Sequence, residues 1–174
     1  RPQDPLGLIE DRTLATLREH GVPTASMLSG AFTHLIGNSR IAEKKFDNFR
    51  RFEQLFPEYG FVFVGDSGQG DVAFGEQMLA ASPDSVRAVF IHDVVDTSEP
   101  IRQAWRAKNI FFFDTYVGAA LEAYQVGVIA RDGVHRVARA TQEELEKVPF
   151  GSVEQREARR AELSRDLKRL EALR

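Results

Sequence analysis

The sequence predicts an α/β fold: a three-layer sandwich around a mainly parallel sheet, extended by a C-terminal amphipathic helix. Three observations carry that expectation. Residues 61–64, 86–91 and 110–113 are short runs of β-branched and aromatic residues, apolar almost throughout. Strands of that kind belong to the interior of a parallel sheet. Stretches of helical period alternate with them, as βαβ units require. The tail 152–174 is rich in Glu, Arg, Ala and Leu, with Leu163, Leu167 and Leu170 on one face.

The elements follow in order. Residues 1–7 contain two prolines and read as a loop. Ile9, Leu14 and Leu17 mark a helix over 8–20, which Gly21-Val22-Pro23 terminates. A short apolar run at 25–28, bounded by Ser29-Gly30, reads as a strand. Over 41–56 the period is helical, with Phe49, Phe52 and Phe56 at i, i+3 and i+7, Phe46 beside them, and Pro57 as the stop. After the strand at 61–64 comes a helix over 72–81, ended by Ser82-Pro83. A helix over 99–108, with Pro100 suited to its first turn, separates the strands at 86–91 and 110–113. A helix over 116–124 ends near Gly127, and no repeat or low-complexity tract interrupts the series. We divide the chain into 1–150 and the charged helical tail 151–174.

A length of 174 residues suits one domain with a sizeable core. The net charge of −3 argues against a protein that coats nucleic acid. The lack of cysteine excludes disulfides, thiolate zinc sites and cysteine nucleophiles. No apolar run approaches the roughly 18–20 residues of a membrane span. The tail holds seven basic and five acidic residues. It reads as a solvated helix that packs its Leu stripe on the domain or on a partner, or as a helix for a membrane surface. The default compartment is the cytoplasm, with peripheral membrane contact as the alternative.

In open α/β sheets, ligands bind beyond the carboxyl ends of the strands. There this sequence places Gly65-Asp66-Ser67-Gly68-Gln69-Gly70-Asp71 after the first strand, His92-Asp93 after the second and Asp114 after the third. Carboxylates thus gather at one edge. Glycines in the 65–71 loop let the backbone curl, so that Asp66 and Asp71 can converge on one cation. Oxygen donors with room for water and a phosphate suit Mg²⁺. The alternative is a turn in which Asp66 and Ser67 merely cap the next helix. Lys45 shares a helical stripe with Phe49, Phe52 and Phe56, whereas Lys44 aligns with Asn48 and Arg51 on the polar face. An ammonium on an apolar stripe needs a partner. The acidic loop supplies one, and a lysine there could neutralise an attacking carboxylate and a phosphate oxygen. The alternative is a lysine whose stem is buried while its head reaches water.

Lys45-Phe46-Asp47-Asn48-Phe49, Phe56-Pro57 and the run from Phe61 to Asp71 together resemble the haloacid dehalogenase superfamily, in particular the catalytic domain of the actin-patch-type phosphatidate phosphatases, with the lipin domain more distant. The resemblance covers roughly residues 1–130; Asp114-Thr115-Tyr116 with Ala119-Ala120 resembles the family's last strand and helix. It implies a Rossmann-like sheet whose first strand is missing here. It also implies Mg²⁺ as cofactor, phosphatidic acid as the phosphorylated substrate, and an aspartyl-phosphate intermediate. By the same resemblance Lys45 is catalytic, Asp66 and Asp71 hold the metal, and Gly65, Ser67, Gly68 and Gln69 support the loop or line the phosphate mouth.

One departure bears on activity. The family's Asp-x-Asp-x-Thr/Val signature is not found; 93–97 reads Asp-Val-Val-Asp-Thr, with the wrong spacing. The family often writes its phosphate-binding serine as Ser-Ala-Arg-Pro, and this sequence opens on Arg1-Pro2. The expectation is that nucleophile and serine lie upstream and that this chain alone does not turn over. Ser29 is the alternative serine. A non-catalytic phosphatidic-acid-binding or scaffold module of the same fold is the rival function. A dinucleotide-binding site is disfavoured, because 65–70 lacks Gly-x-Gly-x-x-Gly spacing. Lesser candidates are His34 near the site, His92-Asp93 as site residues or as a hydrogen-bonded turn, Trp105 as core, and a basic patch of Arg131, His135, Arg136 and Arg139.

Overall fold

The computed structural model describes residues 8–22, 25, 38–68 and 70–173. The expected strand at 25–28, Ser29, His34 and Gln69 therefore lie wholly or largely outside the described residues. The chain divides into two compact units, Arg1–Phe56 and Pro57–Arg174.

The first unit carries α1 (Leu8–Glu19) and α2 (Asn38–Leu55). On α2 the aromatic period has the expected effect. Phe49 is buried, Lys45 and Phe52 are half-buried, and Asp47 and Arg51 face outward. Phe46 meets Phe49 at 6.1 Å between ring centroids, and Phe52 meets Phe56 at 5.7 Å.

The second unit begins with β1 (Phe61–Asp66), α3 (Asp71–Ala81), β2 (Val86–His92), α4 (Glu99–Arg106) and β3 (Ile110–Phe113). Then come α5 (Tyr116–Gln125), α6 (Arg131–Leu145) and α7 (Val153–Glu171). The three strands form a parallel sheet in the order β1-β2-β3. Helices pack on both faces. On one, α3 sets Phe74 edge-on against Phe63, 4.7 Å between centroids, and brings Gly75 against Val89. A β-carbon at position 75 would lie 2.6 Å from a Val89 methyl, so glycine is what lets helix and strand approach this closely. On the other face, Ala123 of α5 joins Ala88, Phe90, Phe111 and Phe113.

β1 departs from the expectation of a strand buried on both faces. Its burial alternates, with Val62 40% and Val64 56% exposed. The cause is position: β1 lies at an edge of the sheet, and α5 covers β2 and β3.

Behind α5, the helices α6 and α7 complete a second core. Val117, Ala120 and Leu121 of α5, Val134 and Ala138 of α6, and Leu163 and Leu170 of α7 form one buried cluster. Leu167 packs against it. The leucine stripe of the tail is thus taken up by α5 and α6, and its charged face points outward. The sequence expectations include no helix at 131–145, where Val134, Ala138 and Leu145 nonetheless lie on one helical face. Trp105 is not core. It is half-buried on a helix without buried residues, and the Lys108 ammonium lies over its ring at 4.7 Å.

Candidate active site

The loop between β1 and α3 is built around two carboxylates. Asp66 ends β1 and is exposed; its Oδ1 accepts the Gly68 N–H at 2.7 Å, closing a tight turn. Asp71 opens α3 and is buried; its Oδ2 accepts the Asp66 N–H at 3.2 Å. A β-carbon at Gly65 would stand 2.8 Å from the Asp71 β-carbon and 2.7 Å from the Phe63 ring, so the Asp71 side chain occupies space that only glycine leaves open. Gly70, at φ 74°, turns the chain into α3 as N-cap without a capping side chain. Neither Asp66 nor Ser67 caps the helix. The capping alternative is therefore not what the loop adopts.

Of the amides expected to support the loop or face a phosphate, those of Ser67 and Gly68 hold the loop together, and Gln69 lies outside the described residues. The Gly68 N–H bonds Asp66, and the Ser67 N–H donates to the His92 carbonyl at 3.0 Å. The Ser67 hydroxyl donates to Asp93 Oδ1 at 3.0 Å and accepts the Val94 N–H at 2.9 Å. Ser67 thus ties the loop after β1 to the loop after β2.

Asp93 is the hub of that second loop. Its carboxylate accepts the Val95 N–H at 3.2 Å, and the Thr97 N–H and hydroxyl at 2.7 and 3.0 Å. Burial alone pushes the Asp93 carboxyl up; the hydrogen bonds from Thr97, Val95 and Ser67 outweigh burial and hold it below the ordinary range. Arg102 of α4 closes the network. Its Nη2 donates to Asp93 Oδ2 and to Asp114 Oδ1, each at 2.6 Å, and its Nε donates to the Thr97 carbonyl at 3.0 Å. The Asp114 bond, against the opposing effect of burial, raises the Arg102 pKa further and keeps the guanidinium charged.

The structure thus brings Asp66, Ser67, Gly68, Asp71, Asp93 and Asp114 to one edge of the sheet. Lys45 belongs to α2 of the first unit. His92-Asp93 fits both of its readings: it forms a hydrogen-bonded turn, and that turn is bonded to the acidic loop. Sequence reasoning missed Arg102. A signal existed, because every strand end delivers a carboxylate and the intervening stretch 99–108 offers Arg102, Arg106 and Lys108 to balance them. Replacing Ser67 by alanine is expected to lower stability by about 1–2 kcal/mol, since it leaves the Val94 amide and one Asp93 oxygen short of a partner. Urea denaturation of both proteins measures the difference.

Asp66 and Asp71 are of the donor type that a hard divalent cation takes. Both offer carboxylate oxygens, and Mg²⁺ takes one or two carboxylates while keeping several waters. Among the described residues no group of three or more His, Asp or Glu side chains is placed to hold a metal ion. No helix among them is long and apolar enough to cross a membrane.

No curated protein and no solved structure matches the chain. The family described as phosphatidate phosphatase APP1, catalytic domain, has a model that matches residues 11–93, a little under half of the chain, and this stretch runs from α1 through Lys45 and the acidic loop to Asp93.

Proposed function

We propose that the chain carries the metal- and phosphate-positioning part of a Mg²⁺-dependent phosphatidate phosphatase of haloacid dehalogenase type, working through an aspartyl-phosphate. The observation that supports this most is a coincidence of sites. The stretch that is similar to the phosphatidate phosphatase catalytic domain contains both the Lys45 motif and the loop in which the Asp71 carboxylate accepts the Asp66 N–H.

In this reading Asp66 and Asp71 hold the cation. When bound, Mg²⁺ screens the phosphate's negative charge and orients it for attack. Asp66, exposed at the end of β1, would be the ligand open to solvent. Asp71, buried under Gly65, fixes the loop through the Asp66 amide and supplies the second charge. Ser67 and Asp93 keep the loop rigid, so that binding does not cost loop ordering. Lys45 holds the nucleophile and phosphate in register, a role assigned by resemblance. The nucleophile would be the first aspartate of an Asp-x-Asp pair, which these 174 residues do not contain. The second reading is a phosphatidic-acid-binding module of the same fold without turnover.

Phosphate release from phosphatidate in detergent micelles, by the full-length gene product, separates the two. The expected result is release that falls about 100-fold or more when EDTA removes Mg²⁺. Phosphatidate binding without release would favour the module. Neither binding nor release would reject both readings.

A further inference from the structure

We propose that a cleft between α6, α7 and the carboxyl end of β3 binds one hydrocarbon chain, the acyl tail of a phosphorylated amphiphile whose headgroup lies at the β1–α3 loop. The identity of the headgroup rests on the function proposed above. The cleft stands on its own geometry.

The cavity measures about 580 Å³, within the range of small-molecule sites. Its walls are apolar: Val137 and Leu145 from α6, Val148 and Phe150 from the following loop, and Leu163 from α7. Apolar walls around a space of this size suit a hydrocarbon chain.

Register connects the cleft to the acidic loop. Asp66 pairs with His92, and His92 pairs with Phe113. In-register neighbours in a parallel sheet share a face and lie about 4.8 Å apart. The His92 side chain therefore stands beside that of Asp66, and it lines the cleft. Its ring stacks on Phe113 at 5.3 Å and on Tyr116 at 6.1 Å, a ledge of rings that leads from the strand ends into the cavity. Tyr116 is 58% exposed, a large ring left to water at the mouth.

The charges at the rim are already matched within the fold. Asp114 pairs with Arg102, Glu144 with Lys147 at 2.8 Å, and Glu162 with Arg159 at 2.9 Å. Burial pushes the Glu162 carboxyl up, against the opposing charge of Arg159. With these pairings made inside the fold, the apolar walls set what the cleft takes, which favours the hydrocarbon end of an amphiphile.

The test uses the 174-residue chain and short alcohols, which present a hydrocarbon chain without phosphate. Hexanol, octanol and decanol are titrated while backbone amide shifts are followed by NMR. Shifts are expected at 137–150 and around Leu163, with affinity rising about fourfold per added methylene. Ala140, exposed on α6, lines the cleft, so Ala140→Trp fills it from a position that leaves the core intact. That variant is expected to keep a native amide spectrum and lose at least tenfold in decanol affinity. Shifts elsewhere, no dependence on chain length, or equal binding by Ala140→Trp would overturn the proposal even if the full-length protein releases phosphate. Failure of phosphate release with the alcohol result intact would overturn the headgroup assignment and leave the cleft as a hydrocarbon site.

Discussion

Replacing Asp93 by alanine is expected to lower the unfolding free energy by about 3–5 kcal/mol. The carboxylate side chain is fully shielded and is shared by two backbone amides, two hydroxyls and a guanidinium. Removing it leaves the Arg102 charge with Asp114 alone and strands the half-buried Thr97 donor, and a donor buried without a partner costs about 1–3 kcal/mol. Asp93→Asn keeps an oxygen for the amides but removes the charge, so a smaller loss is expected. Urea midpoints of the three proteins measure the order. Equal stability of wild type and Asp93→Ala would show that the network does not hold the sheet edge.

The same group sets an acid dependence, and its sign is fixed. The folded state holds the Asp93 carboxyl below its ordinary value of 3.8. A carboxyl with a depressed folded pKa contributes stability that is present above the unfolded value and is lost as pH falls through the folded one. The stability gap between wild type and Asp93→Asn is therefore expected to be constant near neutrality. It should shrink below about pH 4, where the unfolded chain begins to take up the proton. A gap that widened on acidification would contradict the assignment.

Much of the second unit was legible because its signals are local. Three apolar runs, each followed by Asp or Gly-Asp within a residue or two, identify strands and locate their carboxyl ends without reference to the rest of the chain. The leucines of the tail were legible in the same way, since Leu163 and Leu170 repeat on one face. What was not legible depends on partners far along the chain. Val62 and Val64 have the composition of buried residues, and they are exposed because α5 lies over β2 and β3 and not over β1. Trp105 has the composition of a core residue but sits on α4, where Lys108 covers its ring. In α6 the charged residues mask the stripe of Val134, Ala138 and Leu145, which has meaning only once α5 and α7 lie against it.

The acidic loop divides in the same manner. That Asp66 and Asp71 belong together follows from spacing and from the glycines between them. That Ser67 commits its hydroxyl to Asp93, and that Arg102 holds Asp93 and Asp114 at once, follows from β2 and β3 lying beside β1. Sheet neighbours are set by long-range pairing, which no local pattern encodes.

Asp66→Asn in the full-length protein is expected to lower kcat/KM for phosphatidate by about 100-fold at fixed Mg²⁺, equivalent to about 2.7 kcal/mol of lost transition-state stabilisation. The substitution is chosen for what it preserves. The side-chain oxygen of the introduced amide can still accept the Gly68 N–H, so the turn that Asp66 now closes survives. The backbone N–H at position 66 still donates to Asp71. What disappears is one negative charge from the pair that would hold the cation in the function proposed above, so the Mg²⁺ concentration for half-maximal rate should rise while the melting temperature stays within a few degrees. Asp71→Asn is expected to behave differently. The Asp71 side chain is buried against Gly65, and an amide there sets an NH₂ group where a carboxylate oxygen now lies, so loss of activity should be accompanied by loss of stability. The contrast tests the division of labour between the exposed and the buried carboxylate. Unchanged turnover and unchanged Mg²⁺ dependence in Asp66→Asn would mean that this side chain closes a turn and does nothing else.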